Sequence, residues 1–250
     1  MQTIKTEWIK HRKIMIPVCI VLPIIINGLV CLDLQFRYWG YLILQQSLNG
    51  LSNWQLIFKE QTMFYFSELC LLFVAAIVYQ SFAVEKKSNA WMLVMSSPYK
   101  EKKVIYGKYV VCVLNMLILL LTNSVTLAIS GYITGVEGGF ELSLFIRALL
   151  VLFFASALMT SFFIFLITVL KKTIYIIPIS IVILFLASEL YYPDAPDVSK
   201  FLIWYPFTYG SHCFRATNSE MIVVVLVSLV LSGLFLFLSC LTVKKKEVLE

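Results

Sequence analysis

Charged residues are scarce in this sequence. Only 14% of its 250 residues are Asp, Glu, Lys or Arg, whereas soluble domains contain about 25%. In contrast, 60% of the residues are hydrophobic, and the mean hydropathy is +0.89. A water-exposed surface cannot hold so much apolar side chain, which excludes a soluble globular protein. The composition therefore predicts an all-α polytopic membrane protein.

Residues that carry enzyme chemistry are also few. The two histidines, His11 and His212, do not stand in a zinc-binding spacing such as H-E-x-x-H. The sequence has no G-x-x-x-x-G-K-[ST] phosphate loop and no G-x-S-x-G nucleophile turn. Its six cysteines have no short paired spacing, so they are interpreted as small apolar residues. These absences weigh against a membrane enzyme and predict that this chain binds no metal or cofactor of its own.

Long apolar runs dominate what is present. A helix of about 20 apolar residues crosses the hydrocarbon core of a bilayer. Six runs satisfy this length and predict six transmembrane helices within a single domain, 1–250. The predicted spans are 14–32, 63–84, 104–133, 142–170, 174–190 and 221–243, after an N-terminal segment 1–13.

The basic residues determine the orientation of these spans. With the N-terminus in the cytoplasm, 15 of the 20 basic residues lie inside; the opposite orientation places only five there. Since cytoplasmic loops are enriched in Lys and Arg, the distribution predicts that both termini are cytoplasmic. The same rule, together with anionic lipid, accounts for the net charge of +6 without a nucleic-acid partner. The inside residues are Lys5, Lys10, Arg12, Lys13, Lys86, Lys87, Lys100, Lys102, Lys103, Lys108, Lys171, Lys172, Lys244, Lys245 and Lys246.

Two segments on the outer side, 33–62 and 191–220, are rich in aromatic residues. Trp and Tyr collect at membrane interfaces because their rings are amphipathic. These segments are therefore predicted to contain short helices at the outer interface, either as an aromatic belt or as a lid that contacts substrate. Trp204 and Tyr205 are candidate residues for the outer gate.

Ionisable and amide side chains within the spans are the other candidates for a substrate path. Glu68 and Arg147 lie near the outer boundary, where a structural ion pair between them and a contact with substrate are both open interpretations. Asn123 is a third candidate. Together with Asn27 and Asn115, it is also expected to form hydrogen bonds between helices.

The stretch that follows the second span has a recognisable pattern. Glu85 precedes an apolar patch with Trp91, Met92 and Leu93, and Ser97-Pro98 follows. A basic cluster, 100–103, then leads to Lys108 in the third span. This pattern, an N-terminal helix with EWIKHRK, and a Trp-Tyr-Pro segment before the last span resemble the membrane subunit of ABC-2 type exporters. The chain's length and long middle spans are similar to those of lantibiotic-immunity permeases within that family.

The resemblance implies an architecture like that of type V exporters and a division of labour. Residues 85–98 would form a cytoplasmic coupling helix that contacts an ATPase, with Trp91 as its anchor. A cytoplasmic ABC ATPase dimer would bind ATP and Mg²⁺, and a second permease copy or a paralogue would complete the transporter. The implied location is the plasma membrane, with membrane lipid as the surroundings and bacteria as the source. The predicted coupling residues are Glu85, Trp91, Met92, Val94, Met95 and Pro98.

The resulting hypothesis is the permease subunit of an exporter for an amphipathic peptide, as in bacteriocin immunity, or for a lipid-like substrate. A secondary transporter or channel-like protein without an ATPase partner is the alternative. Two features weigh against this alternative. The spans carry no chain of midplane carboxylates of the kind that proton-coupled carriers use, and the sequence contains no detectable inverted repeat.

Overall fold

The computed structural model describes residues 2–36, 50, 52–87, 101–136, 138–170, 173–190 and 218–247. The described part of the chain is helical and contains no strand. Its helices, numbered here in chain order, are α1 (Gln2–Arg12), α2 (Met15–Phe36), α3 (Asn53–Met63), α4 (Phe66–Lys87), α5 (Glu101–Ile133), α6 (Leu142–Val169), α7 (Ile176–Leu190) and α8 (Asn218–Glu247). A 3₁₀ turn, Thr173–Tyr175, precedes α7.

Five of these helices, α2, α4, α5, α6 and α8, are long and apolar enough to cross a membrane. The helix α7 is shorter, with 15 residues, and extends about 22 Å at 1.5 Å per residue. The preceding 3₁₀ turn adds roughly 6 Å. Their combined length approaches the hydrocarbon thickness of about 30 Å.

The packing of α6 against α8 shows that the chain must cross the membrane once more between these two helices. Thr242 donates a hydrogen bond to Thr168 over 2.8 Å, and the rings of Phe162 and Phe235 lie 5.2 Å apart. Residue numbers rise together along this interface, so α6 and α8 run in the same direction. The chain must therefore return across the membrane between them, and α7 lies in that interval. This arrangement agrees with the predicted all-α fold of six membrane-crossing helices.

The second span begins later than the predicted segment 63–84. The helix α3 ends at Met63, and α4 begins only at Phe66. Between them Tyr65 has φ 55°, a left-handed conformation that costs a non-glycine residue about 1–2 kcal/mol. At its other end α4 continues to Lys87 because the sequence Val84-Glu85-Lys86-Lys87 contains no glycine or proline to stop it.

The helix α3 is a short helix in the outer segment 33–62, where the sequence predicted one. It begins with a capping box, in which the Ser52 hydroxyl accepts from the Gln55 N–H and the Gln55 side chain accepts from the Ser52 N–H. Its Trp54 is only 1% exposed. This tryptophan therefore packs inside the protein, rather than at the lipid headgroups.

The core of the molecule forms around α6. In the most apolar stretch of α6, 67% of the residues are buried, compared with 22% in α8 and 33% in α2. The outward faces of α2 and α8 carry aliphatic side chains, such as Ile25 and Val230. Since a bilayer solvates such faces, a central α6 with peripheral α2 and α8 is the packing expected of a membrane protein.

Candidate functional site

Lys108, in the third span, is fully buried. Its ammonium lies 3.1 Å from a Glu7 carboxylate oxygen and 3.0 Å from a Glu85 carboxylate oxygen, and it donates to the Ser81 carbonyl over 2.8 Å. It also lies 5.0 Å from the centre of the Phe82 ring. The ammonium thus donates two hydrogen bonds, to Glu7 and to Ser81, and has the Glu85 carboxylate as a second anionic partner. We refer to Glu7, Glu85 and Lys108 as the inner cluster.

The inner cluster joins three elements that are distant in sequence. Glu7 belongs to α1, Glu85 to the last turn of α4 and Lys108 to the second turn of α5. All three come from segments that the charge distribution assigns to the cytoplasm, so their convergence at one end agrees with the predicted orientation. We call this end the inner end of the protein, and the opposite end the outer end.

The helix α1 packs with its polar face inward. Glu7 and His11, one helical turn apart, are buried, whereas Ile4, Lys5 and Ile9 are exposed. Burying a carboxylate is costly unless a cation and hydrogen bonds compensate for the lost water. The Lys108 ammonium supplies the cation, which explains why α1 turns an acidic residue toward the spans.

A second group of buried polar side chains lies toward the outer end. Gln61 Nε2 donates to Asn27 Oδ1 and to Asn123 Oδ1, each over 2.7 Å. Asn27 Nδ2 donates to Asn123 Oδ1 over 3.0 Å and to Thr126 Oγ1 over 2.6 Å. Ser130 Oγ donates to the Asn27 carbonyl over 3.0 Å. These residues, which we call the outer cluster, tie α2, α3 and α5 together without any formal charge.

The other end of α3 is fixed by an aromatic contact with α5. Trp54 lies edge-on to Tyr132, Phe140 and Phe145, with ring centres 5.1–5.7 Å apart. Its ring lies against the backbone of Gly131: a Cβ atom there would be only 2.5 Å from a Trp54 ring carbon. Glycine is therefore the residue that allows α3 to approach α5 so closely.

A family model provides the decisive comparison. The model described as "ABC-2 family transporter protein" matches residues 51–243. This chain belongs to the ABC-2 family. The match covers most of the chain, from the start of α3 to the end of the last span, so this ABC-2 permease is a membrane subunit of a transporter and not itself a catalyst. No curated protein and no solved structure matches it.

Among the predicted coupling residues of this permease, only Glu85 is described. It was expected to begin the coupling helix, but it lies within α4, buried and 3.0 Å from Lys108. Lys108, which the charge distribution placed among the basic residues on the cytoplasmic side, is wholly buried inside the protein. The other predicted coupling residues, Trp91, Met92, Val94, Met95 and Pro98, lie outside the described residues.

The predicted substrate-path residues do not form one group. Asn123 is buried in the outer cluster, whereas Glu68 and Arg147 are half-buried and form no ion pair with each other. Arg147 Nε donates to the Ser143 carbonyl of its own helix over 3.4 Å. One carboxylate oxygen of Glu68 is buried without a hydrogen-bond partner among the described residues. Trp204 and Tyr205 lie outside the described part of the chain.

The expected hydrogen bonds between helices form in two of three cases. Asn27 and Asn123 bond across α2 and α5, whereas the Asn115 side chain donates to Val111 within its own helix. Gln61 was not predicted at all. Its signal was available, because S-N-W-Q at 52–55 predicts a helix start and places Gln61 on that helix beside an apolar face.

Proposed function

We propose that this ABC-2 permease is the membrane-spanning subunit of a bacterial plasma-membrane exporter. It moves an amphipathic peptide outward, as in lantibiotic immunity, and it uses ATP hydrolysed by a separate cytoplasmic ABC ATPase dimer. A second permease subunit completes the transporter. ATP and Mg²⁺ belong to the ATPase, and this chain needs no cofactor. The observation that carries the proposal is the inner cluster, which joins α1 to both helices that flank residues 88–100.

The inner cluster supports a mechanical role for the segment between α4 and α5. The chain leaves α4 at Lys87 and enters α5 at Glu101. Because Glu85 and Lys108 form an ion pair, the two flanking helices are held together beside this segment, and Glu7 adds α1 to the same unit. A force applied to the segment between α4 and α5 would therefore move α1, α4 and α5 together.

In this proposal the ATPase acts on the predicted coupling helix, residues 85–98, of which the first three residues belong to α4. Trp91 is its anchor in a pocket of the ATPase, with Met92, Val94 and Met95 beside it and Pro98 at its end. Large aromatic side chains commonly provide most of the binding energy at such contacts. Glu85, the first residue of the proposed coupling helix, forms an ion pair with Lys108 of the same chain.

Transport then follows from the difference between two conformations of the spans. ATP binding and hydrolysis change the relative population of inward-open and outward-open states, and the peptide binds the two states with different affinity. The proposed outer path contains Glu68, Asn123 and Arg147, with Trp204 and Tyr205 at the outer gate. The outer cluster would then link that path to α3.

Copurification tests the coupling assignment. The tagged permease is purified from its native membrane, and the ATPase recovered per permease molecule is measured for wild type, Trp91→Arg and Lys102→Met. We expect W91R to lose most of the bound ATPase, because an arginine cannot fill an apolar pocket. K102M, which changes an exposed lysine beyond the proposed helix, should retain it. Wild-type recovery with W91R would refute the coupling assignment.

The energy source separates this proposal from the secondary-transporter alternative. Inverted membrane vesicles are supplied either with ATP in the presence of an uncoupler or with a proton gradient and no ATP, and uptake of a labelled amphipathic peptide is measured. We expect uptake with ATP alone. Uptake that follows the proton gradient and does not need ATP would establish the alternative.

A further inference from the structure

The outer cluster leaves two polar groups unused. Gln61 Nε2 donates both of its hydrogens, one to Asn27 and one to Asn123. Asn123 Oδ1 accepts hydrogen bonds from Asn27 and Gln61. Among the described residues, no hydrogen bond reaches Gln61 Oε1 and none leaves Asn123 Nδ2. Both side chains are nonetheless almost completely buried, at 3% and 2% exposed.

The two unused groups are close neighbours. Gln61 Nε2 and Asn123 Oδ1 are 2.7 Å apart. Gln61 Oε1 shares an amide carbon with the first of these atoms, and Asn123 Nδ2 shares one with the second. One unused group is a carbonyl acceptor and the other is an N–H donor. In an extended peptide the N–H and the C=O of one residue lie on the same edge of the backbone. They offer the complementary pair, an N–H for Gln61 and a C=O for Asn123.

The position of this pair within the protein fits a ligand that leaves toward the outside. Asn123 lies ten residues before the end of α5 at Ile133, about 15 Å along the helix from its outer end. Gln61 lies on α3, the helix that enters from the outer side. An occupant that pairs this acceptor and this donor gains two hydrogen bonds that the described residues do not supply.

We propose that Gln61 Oε1 and Asn123 Nδ2 form a binding site for the N–H and C=O of one residue of an extended peptide, that is, for the backbone of the transported molecule. This inference rests on the proposed function and adds the chemical group that is recognised. Recognition of the backbone, rather than of a side chain, would let one permease bind peptides of different sequence.

The test combines a change in the peptide with a change in the protein. The probe is a synthetic amphipathic peptide, compared with its backbone N-methylated analogue, which lacks the N–H donors. The intact permease–ATPase complex is placed in lipid nanodiscs, and the peptide concentration that gives half-maximal stimulation of ATP hydrolysis is measured. We expect the N-methylated analogue to require about tenfold more for wild type, as the loss of one buried hydrogen bond predicts.

Two variants decide whether Gln61 is the group that accepts the hydrogen bond from the peptide N–H. In Gln61→Ala the penalty of N-methylation should fall below about twofold, because the acceptor is gone. Asn27→Ala is the matched control. It breaks the same hydrogen-bond network, but Asn27 already uses both of its amide groups, so the tenfold penalty should persist. The comparison is a double-mutant cycle, in which structural damage common to both peptides cancels.

Each outcome has one meaning. Equal stimulation of the wild type by both peptides would overturn the inference, since water alone would then satisfy the two groups. An equal penalty in Q61A and wild type would overturn it as well. If Q61A does not assemble, Gln61→Met keeps the length of the side chain and replaces it in the cycle. A wild-type complex without peptide-stimulated ATP hydrolysis would instead count against the proposed function.

Discussion

The inner and outer clusters join helices by different chemistry. The inner cluster connects α1, α4 and α5, and the outer cluster connects α2, α3 and α5, so that α5 is the helix common to both. The inner cluster uses a buried ammonium between two carboxylates, whereas the outer cluster uses neutral amides and hydroxyls. A buried charge is strongly destabilising once its partner is removed, whereas a lost amide hydrogen bond in a membrane protein costs little.

This difference indicates how rigid each end of the permease is. The inner end holds α1, α4 and α5 by interactions that are costly to break, which suits a unit that transmits force. The outer end holds α3 by several weaker contacts, which can be exchanged for contacts with another molecule. The following predictions test this comparison, from the largest expected effect to the smallest.

The largest effect is expected at the centre of the inner cluster. Lys108→Met keeps most of the apolar stem but removes the ammonium from Glu7 and Glu85. Two carboxylates then share a buried site without their cation, which should lower the free energy of unfolding by about 3–5 kcal/mol. The measurement is the unfolding temperature of the detergent-purified protein.

Lys103→Met is the matched control for that variant, because Lys103 lies on the same helix but is exposed. It should unfold within about 0.5 kcal/mol of the wild type, as other surface substitutions do. If K108M and K103M unfolded at the same temperature, the inner cluster would not be a rigid unit, and the contrast between the two ends would disappear.

The next largest effect is expected where α3 meets α5. In Gly131→Ala the new methyl group would lie 2.5 Å from a Trp54 ring carbon and 2.9 Å from Ile57. Such overpacking typically costs about 1–3 kcal/mol, and a rigid indole cannot easily make room. Thermal unfolding in detergent measures the loss. Gly233→Ala, in α8 with open space at its Cβ, should be neutral or slightly stabilising; a neutral G131A would mean that α3 is not seated as described.

Removal of an amide from the outer cluster should have a smaller effect. Asn27→Leu keeps the branched heavy-atom skeleton of asparagine and removes its hydrogen bonds to Asn123 and Thr126, which should cost about 1–2 kcal/mol. Asn27 and Gln61 share one network, so N27L and Gln61→Leu combined should cost less than the sum of the two. Denaturant unfolding of the three variants measures this. Strict additivity would show that the two side chains act independently.

The smallest effect is expected between α6 and α8. Thr168→Val removes the acceptor of the 2.8 Å hydrogen bond from Thr242, worth about 0.6 kcal/mol in membrane proteins. Thr122→Val is the control, because the Thr122 hydroxyl bonds only to Ile118 within its own helix. A loss in T168V as large as that in K108M would contradict the proposed order of strengths.

Much of the fold was predictable because it depends on residue type alone. The span 142–170 agrees with α6 at Leu142–Val169 within one residue, since apolar length is a property of the sequence. The start of the second span was less predictable. Nothing in the sequence around Phe64 and Tyr65 signals a helix break, because neither residue is glycine or proline.

The candidate sites were predictable only in part. Asn27 and Asn123 were expected to form hydrogen bonds between helices, but the two residues that meet are 96 positions apart, and Glu7 is 101 positions from Lys108. Glu7 and Gln61 fall in segments that the sequence assigned to the membrane surface. Neither could be paired with Lys108 or Asn123 from spacing, since a distant contact leaves no periodic pattern.

By itself the sequence determined that this protein crosses a membrane through apolar helices, and it predicted that most of the basic residues lie on one side. These properties follow from the transfer of individual side chains between water and lipid. The tertiary structure alone decided which polar groups meet. It buried Lys108 between two carboxylates, and within the described part of the chain it gave no partner to one donor and one acceptor of the outer cluster, because hydrogen bonds and ion pairs depend on distances between helices.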